Sequence, residues 1–406
     1  MAEVLKPADG NQVCEIAAWA FAENAGLEIR GQGSKQGLGC PMGDLQVVDL
    51  SGLSGVTLYE PGELVLTAGA GTPIGEIETL LTEHNQRLAF EPMDMASILT
   101  GDQGRGTLGG VIACNLAGPR RISAGAARDH ILGVKAATGR GEPFKSGGRV
   151  VKNVTGYDMS KLMTGSYGTL GVMTEITLKV LPKPEKAWTV LLLDLSDADA
   201  IRALAQAAGS SHEVSGLAHL PAHAVARSKV SYLKNANSSV TAIRVEGPGP
   251  SVEHRIASLR RELKDFGDQE ELHSHNSSAL WQELRDVRLL PTDTQLWKLS
   301  VAPSSGPTVV EAVTTNIPDA KAMYDWAGGL VWLSQPAQPD ANHEIVRNAV
   351  NEVGGHATLI RAAREVRSNV PVFHPQARPV VDLSRRIKEG LDPHGILNPG
   401  RMVKGL

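Results

Sequence analysis

Arg30-Gly-Gln-Gly-Ser-Lys-Gln-Gly-Leu-Gly39 is the stretch on which the reading of this chain turns. Four glycines in ten residues let the backbone take positive φ and let several N–H groups converge on one anion. Two readings stand at this point: a phosphate cradle, or a mobile surface turn. Upstream, Leu27 to Arg30 predicts a short strand that delivers the chain into the loop. Downstream come Pro41 and Met42 and then another strand, so the strand, glycine-loop and helix order of a dinucleotide-binding Rossmann unit is absent. No Gly-Lys-Ser/Thr follows at P-loop spacing either.

Working outward, Val13, Ile16, Ala17, Ala20 and Phe21 fall at helical spacing, with Asn11 as the expected cap and Gly26 as the stop. Short strands are predicted at 45–50, 56–60 and 64–68. A helix is predicted over Pro73 to Asn85, with Thr72 as its cap. Thr107-Leu-Gly-Gly-Val-Ile-Ala-Cys-Asn-Leu-Ala-Gly118 reads as a short helix capped by Thr107, with Gly109 and Gly110 in its first turn. Its N–H groups could meet an anion or carbonyl oxygen, or its small residues could serve close packing. Ile131 to Thr138 predicts a strand, Lys152 to Asp158 a polar connection, and Met159 to Met163 a helix. Gly165-Ser-Tyr-Gly-Thr-Leu-Gly171 then leads into a long alternating strand from Val172 to Val180. Pro182-Lys-Pro184 ends that strand and marks a domain boundary.

Composition bounds the rest. A chain of 406 residues is too long for one ordinary core, so two domains with room for a cofactor between them are expected. A net charge of −4 offers no polyanion-binding surface, which argues against nucleic acid as a partner. Cys14, Cys40 and Cys114 form no C-x-x-C pair, so neither an iron–sulfur cluster nor a disulfide framework is indicated, and a cytoplasmic protein is expected. Charged residues among the first nine predict no signal peptide, and no long apolar run predicts a membrane span.

Beyond residue 186 the pattern alternates strand and helix: strands at 188–193, 240–245, 295–301 and 330–333, helices at 198–208, 252–266 and around 281–285. An α+β cap beside the first domain is the expected assembly. His273 and His275 form a His-x-His without a third ligand at recognisable spacing, so an exposed polar loop is expected, and His212, His219 and His223 look scattered; no metal site is predicted. Arg361, Arg364 and Arg367 recur at helical spacing and suit either a carboxylate pocket or a solvated stripe. Arg378 to Gly390 predicts a helix, followed by turns at Asp392-Pro and Asn398-Pro. No catalytic residue is identifiable.

The loop at 30–39, Thr107 to Gly110, Asn115 to Gly118 and Gly165 to Gly171, in that order over about 185 residues, resemble the FAD-binding domain of the vanillyl-alcohol oxidase and p-cresol methylhydroxylase family. The runs Gly118 to Gly125, Lys152 to Asp158, Val180 to Pro184 and Asp392 to Met402 resemble the smaller FAD-binding subunits of bacterial glycolate oxidases. The resemblance implies an α+β fold: a two-part FAD-binding domain (residues 1–186), an α+β cap domain (187–370), and a C-terminal helix and tail (371–406) packing back toward the flavin. It implies that Gly31, Gln32, Gly33, Ser34 and Lys35 take the FAD pyrophosphate. Thr107, Gly109 and Gly110 would lie near the flavin and ribityl side, Gly171 and Val172 near the isoalloxazine, and Asn398 just behind the cofactor. Ser34-Lys35 stands where the family's usual covalent histidine would be, which implies non-covalent FAD. Ala124-Gly125 replaces the family's Tyr-Gly, so a site-lining tyrosine is missing. The implied activity is oxidation of a small 2-hydroxy acid, glycolate, within a complex of a larger FAD-containing catalytic subunit and an iron–sulfur subunit, with membrane contact only through partners. A self-sufficient D-lactate type dehydrogenase and a non-catalytic flavin-holding subunit are the alternatives.

Overall fold

The computed structural model describes residues 4–102, 104, 106–150 and 156–404; residues 152–155 of the expected polar connection Lys152 to Asp158 lie outside these. In chain order the strands are β1 (Leu27–Arg30), β2 (Gln46–Asp49), β3 (Val56–Glu60), β4 (Val65–Gly69), β5 (Gln86–Arg87), β6 (Ile131–Ala137), β7 (Pro143–Gly147), β8 (Val172–Lys179) and β9 (Leu181–Pro182). After them come β10 (Lys186–Leu193), β11 (Val214–Leu220), β12 (Val240–Gly247), β13 (Gln269–Leu272), β14 (Gln295–Ser300), β15 (Lys321–Asp325), β16 (Leu330–Gln335) and β17 (His356–Arg361).

Strands β1 and β2 form a parallel pair, and β3-β4-β8-β6-β7 an antiparallel five-stranded sheet. The strands from Lys186 onward build a separate eight-stranded antiparallel sheet in the order β13-β10-β12-β11-β15-β16-β14-β17. With helices packed on antiparallel sheets, the architecture is α+β.

Period-two patterning puts the two faces of the large sheet into two cores. Leu191, Leu220, Ala242, Leu296 and Trp332 pack toward the first part of the chain, in one cluster with Leu66, Phe90 and Ile176. Val190, Leu192, Ile243, Trp297 and Leu299 face the other way. There they meet Ile201 and Leu204 of the helix Asp197–Ala208, Val252 and Ile256 of Gly249–Glu262, and Val346 and Val350 of His343–Asn351. One face of this sheet is therefore closed by its own helices, and the other is seated on the N-terminal part.

Local signals were read correctly in kind and shifted in place. The first helix spans Gly10–Ala22, and its cap is Asp9 rather than Asn11: the Asp9 carboxylate accepts from the N–H groups of Asn11 and Gln12. It ends before Gly26, through Asn24 at φ 51°. Pro73 occupies the cap position of the helix Ile74–Glu83, while the Thr72 hydroxyl turns away to the Gly69 carbonyl, 2.7 Å distant. The helix Arg378–Leu391 runs through Gly390, and the tail then lies beside β1, where the Leu27 N–H donates to the Ile396 carbonyl at 2.7 Å and the Asn398 N–H to the Leu27 carbonyl at 2.9 Å.

Candidate functional site

Strand β1 runs straight into the glycine loop, and together they wall a cleft lined by Glu28 to Gln36, Met42, Thr107, Gly110, Ala113, Cys114, Tyr167, Asn398 and Arg401. Gly33 sits at φ +77°, a conformation side chains rarely adopt, and this folds the loop back so that the Gln36 N–H donates to its carbonyl at 3.1 Å. Gly31 is required by contact: a Cβ there would come within 2.5 Å of the Thr107 hydroxyl. That threonine caps the helix Leu108–Ala113, its Oγ1 accepting from the Gly110 N–H at 3.4 Å. Two segments more than seventy residues apart in sequence thus face each other across one opening.

Of the residues singled out from sequence, Gly31, Gln32, Gly33, Ser34, Lys35, Thr107 and Gly110 meet at this cleft. Gly109 packs against Ala70 instead, where a Cβ would lie 2.9 Å from the Ala70 carbonyl oxygen. Gly171 backs onto Met163 and the Ala137 carbonyl, and Val172 is buried with Val13, Leu27 and Leu397; neither is among the cleft-lining residues. Asn398 ties two walls together: its Oδ1 accepts from the Ile29 N–H and its Nδ2 donates to the Tyr167 carbonyl, both at 2.8 Å. Glu28, Cys114, Tyr167 and Arg401 also line the opening and were not anticipated.

The arginines at 361, 364 and 367 form neither a carboxylate pocket nor a solvated stripe. Arg361 ends strand β17 and donates to the Ile98, Pro291 and Thr294 carbonyls, while Arg364 donates to the Met42 carbonyl at 2.6 Å and Arg367 to that of Gly39 at 2.8 Å. Arg364 and Arg367 bolt the second part of the chain to the backbone leaving the glycine loop, and Arg361 ties it to Ile98.

A buried ion network crosses the same boundary. Arg244 of β12 donates to both Glu91 oxygens at 3.1 and 3.0 Å, and Arg120 bridges Glu91 and Glu246. Burial alone would raise both carboxyls; the guanidinium groups of Arg244 and Arg120 outweigh it and hold Glu91 and Glu246 below the usual carboxylate range. Part of this network lines a cavity of about 390 Å³ between the helices Ile74–Glu83 and Ser274–Arg285.

Nearby, Asp325 is 3% exposed, and burial pushes its carboxyl up to about 7 against the opposing Trp326 N–H. A carboxyl raised above its unfolded value of about 3.9 favours the fold when protonated, so its contribution is complete below about pH 4 and lost as pH rises through its folded value. Asp325→Asn keeps an oxygen for the Trp326 N–H, now 2.7 Å away. The variant is expected to raise Tm, by more at pH 8 than at pH 5; equal gains at the two would contradict this sign.

The histidines have separate partners. His219 is fully buried in β11, with Nδ1 2.9 Å from the Thr241 hydroxyl and Nε2 3.2 Å from Asp197. His212 pairs with Glu262 at 2.8 Å, and His273 precedes the helix Ser274–Arg285, stacked on Trp188. His275 lies within that helix, so the pair does not share a strand face. Among the described residues no group of three or more His, Cys, Asp or Glu is placed to hold a metal ion, and no helix is long and apolar enough to cross a membrane.

Comparison with known proteins adds the chemical class. The family described as FAD binding domain matches residues 1–147. The glycolate oxidase subunit GlcE of Escherichia coli (strain K12) is 36% identical over 406 residues, covering 99% of this chain and 100% of that protein. The glycolate oxidase subunit GlcD of Bacillus subtilis (strain 168) is 27% identical over 77% of this chain and 70% of its own. Among solved structures, alkyldihydroxyacetonephosphate synthase superposes with a TM-score of 0.69 at 18% identity, over 98% of this chain and 76% of that one, a likeness of fold.

Proposed function

The chain belongs to the family of FAD-dependent oxidoreductases that includes the glycolate oxidase subunits, and from that premise we propose that it is the FAD-holding subunit of a complex oxidising glycolate to glyoxylate. The observation that carries the reading is the cleft: loop residues Gly31 to Lys35 face Thr107 and Gly110, and a Cβ at Gly31 would block the approach. This donor set fits a pyrophosphate, with backbone N–H groups from the loop and the cations Lys35 and Arg401 beside them. Bound FAD supplies a hydride acceptor. The chain's own residues hold its phosphates and, through Asn398, fix the walls around it. Ser34-Lys35 in the loop leaves the attachment non-covalent.

Oxidation of a 2-hydroxy acid also needs a base and a cationic clamp for the carboxylate. Among the described residues no histidine lines the cleft, and the one carboxylate that does, Glu28, is engaged by the Gln36 side chain at 3.2 Å. The partners in this reading are a larger FAD-containing catalytic subunit, which provides the remaining groups, and an iron–sulfur subunit that takes the electrons. A self-sufficient dehydrogenase for a small 2-hydroxy acid such as D-lactate is the second reading. In its favour, Arg121 and Lys298 both lie over the Trp326 ring, at 4.4 and 5.3 Å, and neither forms an ion pair among the described residues. Dye-linked turnover separates the two: the first expects glycolate oxidation by the co-purified complex and near-background rates from the isolated chain. Full turnover of glycolate or D-lactate by the isolated chain would establish the second.

A further inference from the structure

The C-terminal tail is built into the cleft. Arg401 donates from Nη2 to the Lys35 carbonyl at 2.5 Å, and its own carbonyl accepts from the Cys40 N–H at 2.9 Å, so one tail residue straps both ends of the second half of the glycine loop. Gly39 makes room for the strap, since a Cβ there would lie 2.9 Å from the Arg401 carbonyl oxygen. The base of the tail is fixed as well: Lys388 Nζ donates to the Thr169 carbonyl at 2.7 Å and to the Leu397 carbonyl at 3.1 Å, and reaches Asp392 at 2.6 Å.

Arg401 lines the cleft together with Gly31 to Gln36. Only one of its five N–H donors is spent on Lys35, and no carboxylate of the described residues pairs with it. Glu28, the acid lining the cleft, is occupied by Gln36 at 3.2 Å and lies 3.8 Å from Arg30. A partly buried, fork-shaped cation with free donors beside the glycine loop is suited to a phosphate oxyanion.

We propose that Arg401 is a pyrophosphate-binding residue, and that cofactor and tail close the cleft together, each binding more tightly when the other is in place. The proposal rests on the FAD reading of the cleft. Coupling must be reciprocal: if the docked tail raises FAD affinity by some factor, FAD raises tail docking by the same factor.

The test uses the full chain stripped of flavin by mild chaotrope and titrated with FAD, for wild type, Arg401→Gln and Arg401→Lys. Hydrogen exchange of the tail amides is followed with and without FAD. Losing one charge-assisted hydrogen bond should raise the Kd of Arg401→Gln roughly ten- to hundredfold, with Arg401→Lys between it and wild type. FAD should slow exchange across residues 396–401 in wild type and much less in Arg401→Gln. An Arg401→Gln Kd within about twofold of wild type, or tail exchange indifferent to FAD, overturns the proposal while leaving the cofactor reading intact. Wild type that takes up no FAD overturns both.

Discussion

Gly33→Asp is expected to yield a folded chain that retains no flavin through desalting. Two penalties meet at this position. The backbone stands at φ +77°, which most side chains resist, and the added carboxylate would enter the loop proposed to hold the FAD pyrophosphate. Two like charges about 4 Å apart repel by about 4 kcal/mol at an effective dielectric constant near 20, roughly a thousandfold in affinity. Gly33→Asn isolates the charge, because asparagine tolerates positive φ better than most residues and carries none. Its Cβ has space, the nearest atom being Gln36 Oε1 at 3.5 Å. The asparagine variant should therefore keep most of its FAD while the aspartate variant keeps none. Undiminished flavin in Gly33→Asp would place the cradle elsewhere.

The largest stability effect is expected from Arg244→Met. Arg244 is 2% exposed, holds both oxygens of Glu91, reaches the Ser215 carbonyl at 3.0 Å and stacks 4.4 Å above the Trp281 ring. Methionine fills much of the space and removes the charge, leaving Glu91 and Glu246 buried with fewer cations. Breaking a buried pair from one side costs about 3–5 kcal/mol, enough to move the denaturation midpoint markedly. The pH dependence has a definite sign. Both carboxyls are depressed in the fold, so their stabilisation is present above the ordinary carboxylate range and lost as pH falls through the lowered values. Urea titrations should show the deficit of Arg244→Met at pH 7 shrinking below about pH 4, where protonation relieves the unpaired carboxylates. A deficit that stays constant down to pH 3 would mean that packing around Trp281, and not charge, is what the arginine provides.

Much of the fold was legible because its alternation is local. Strands β3, β8, β10, β12, β14 and β16 were all anticipated, most from runs such as Val172 to Lys179 in which buried and partly exposed positions intermix. Strand β11 escaped: Val214-Ser-Gly-Leu-Ala-His-Leu220 is buried at every position, as β16 is, but unlike β16 it carries a glycine and a histidine that depress its strand signal. Strand β17 was hidden by its own arginine: Arg361 seemed to begin a helical series with Arg364 and Arg367, yet it closes a strand, and the helix starts only at Arg364.

The site divides in the same way. Its glycine loop is contiguous and could be read directly, and Thr107 announced itself as a cap. Arg401 could not be found so, because its bond to Lys35 joins residues 366 positions apart. The one local signal for it is the pair of forced turns at Asp392-Pro and Asn398-Pro, which mark a tail folded for docking and do not say against what. Gly171 and Val172 lie off this cleft, and a Cβ at Gly171 would come within 2.9 Å of Met163.

The central claim is that this chain holds FAD, non-covalently, in the cleft opened by Gly31 to Lys35. Flavin content per chain, measured by absorbance near about 450 nm on the purified protein supplied with FAD and again on the filtrate after denaturation, tests it most directly. Close to one FAD per folded chain is expected, all of it released into the filtrate. A folded protein that stays colourless, or an unfolded chain that stays yellow, would contradict it.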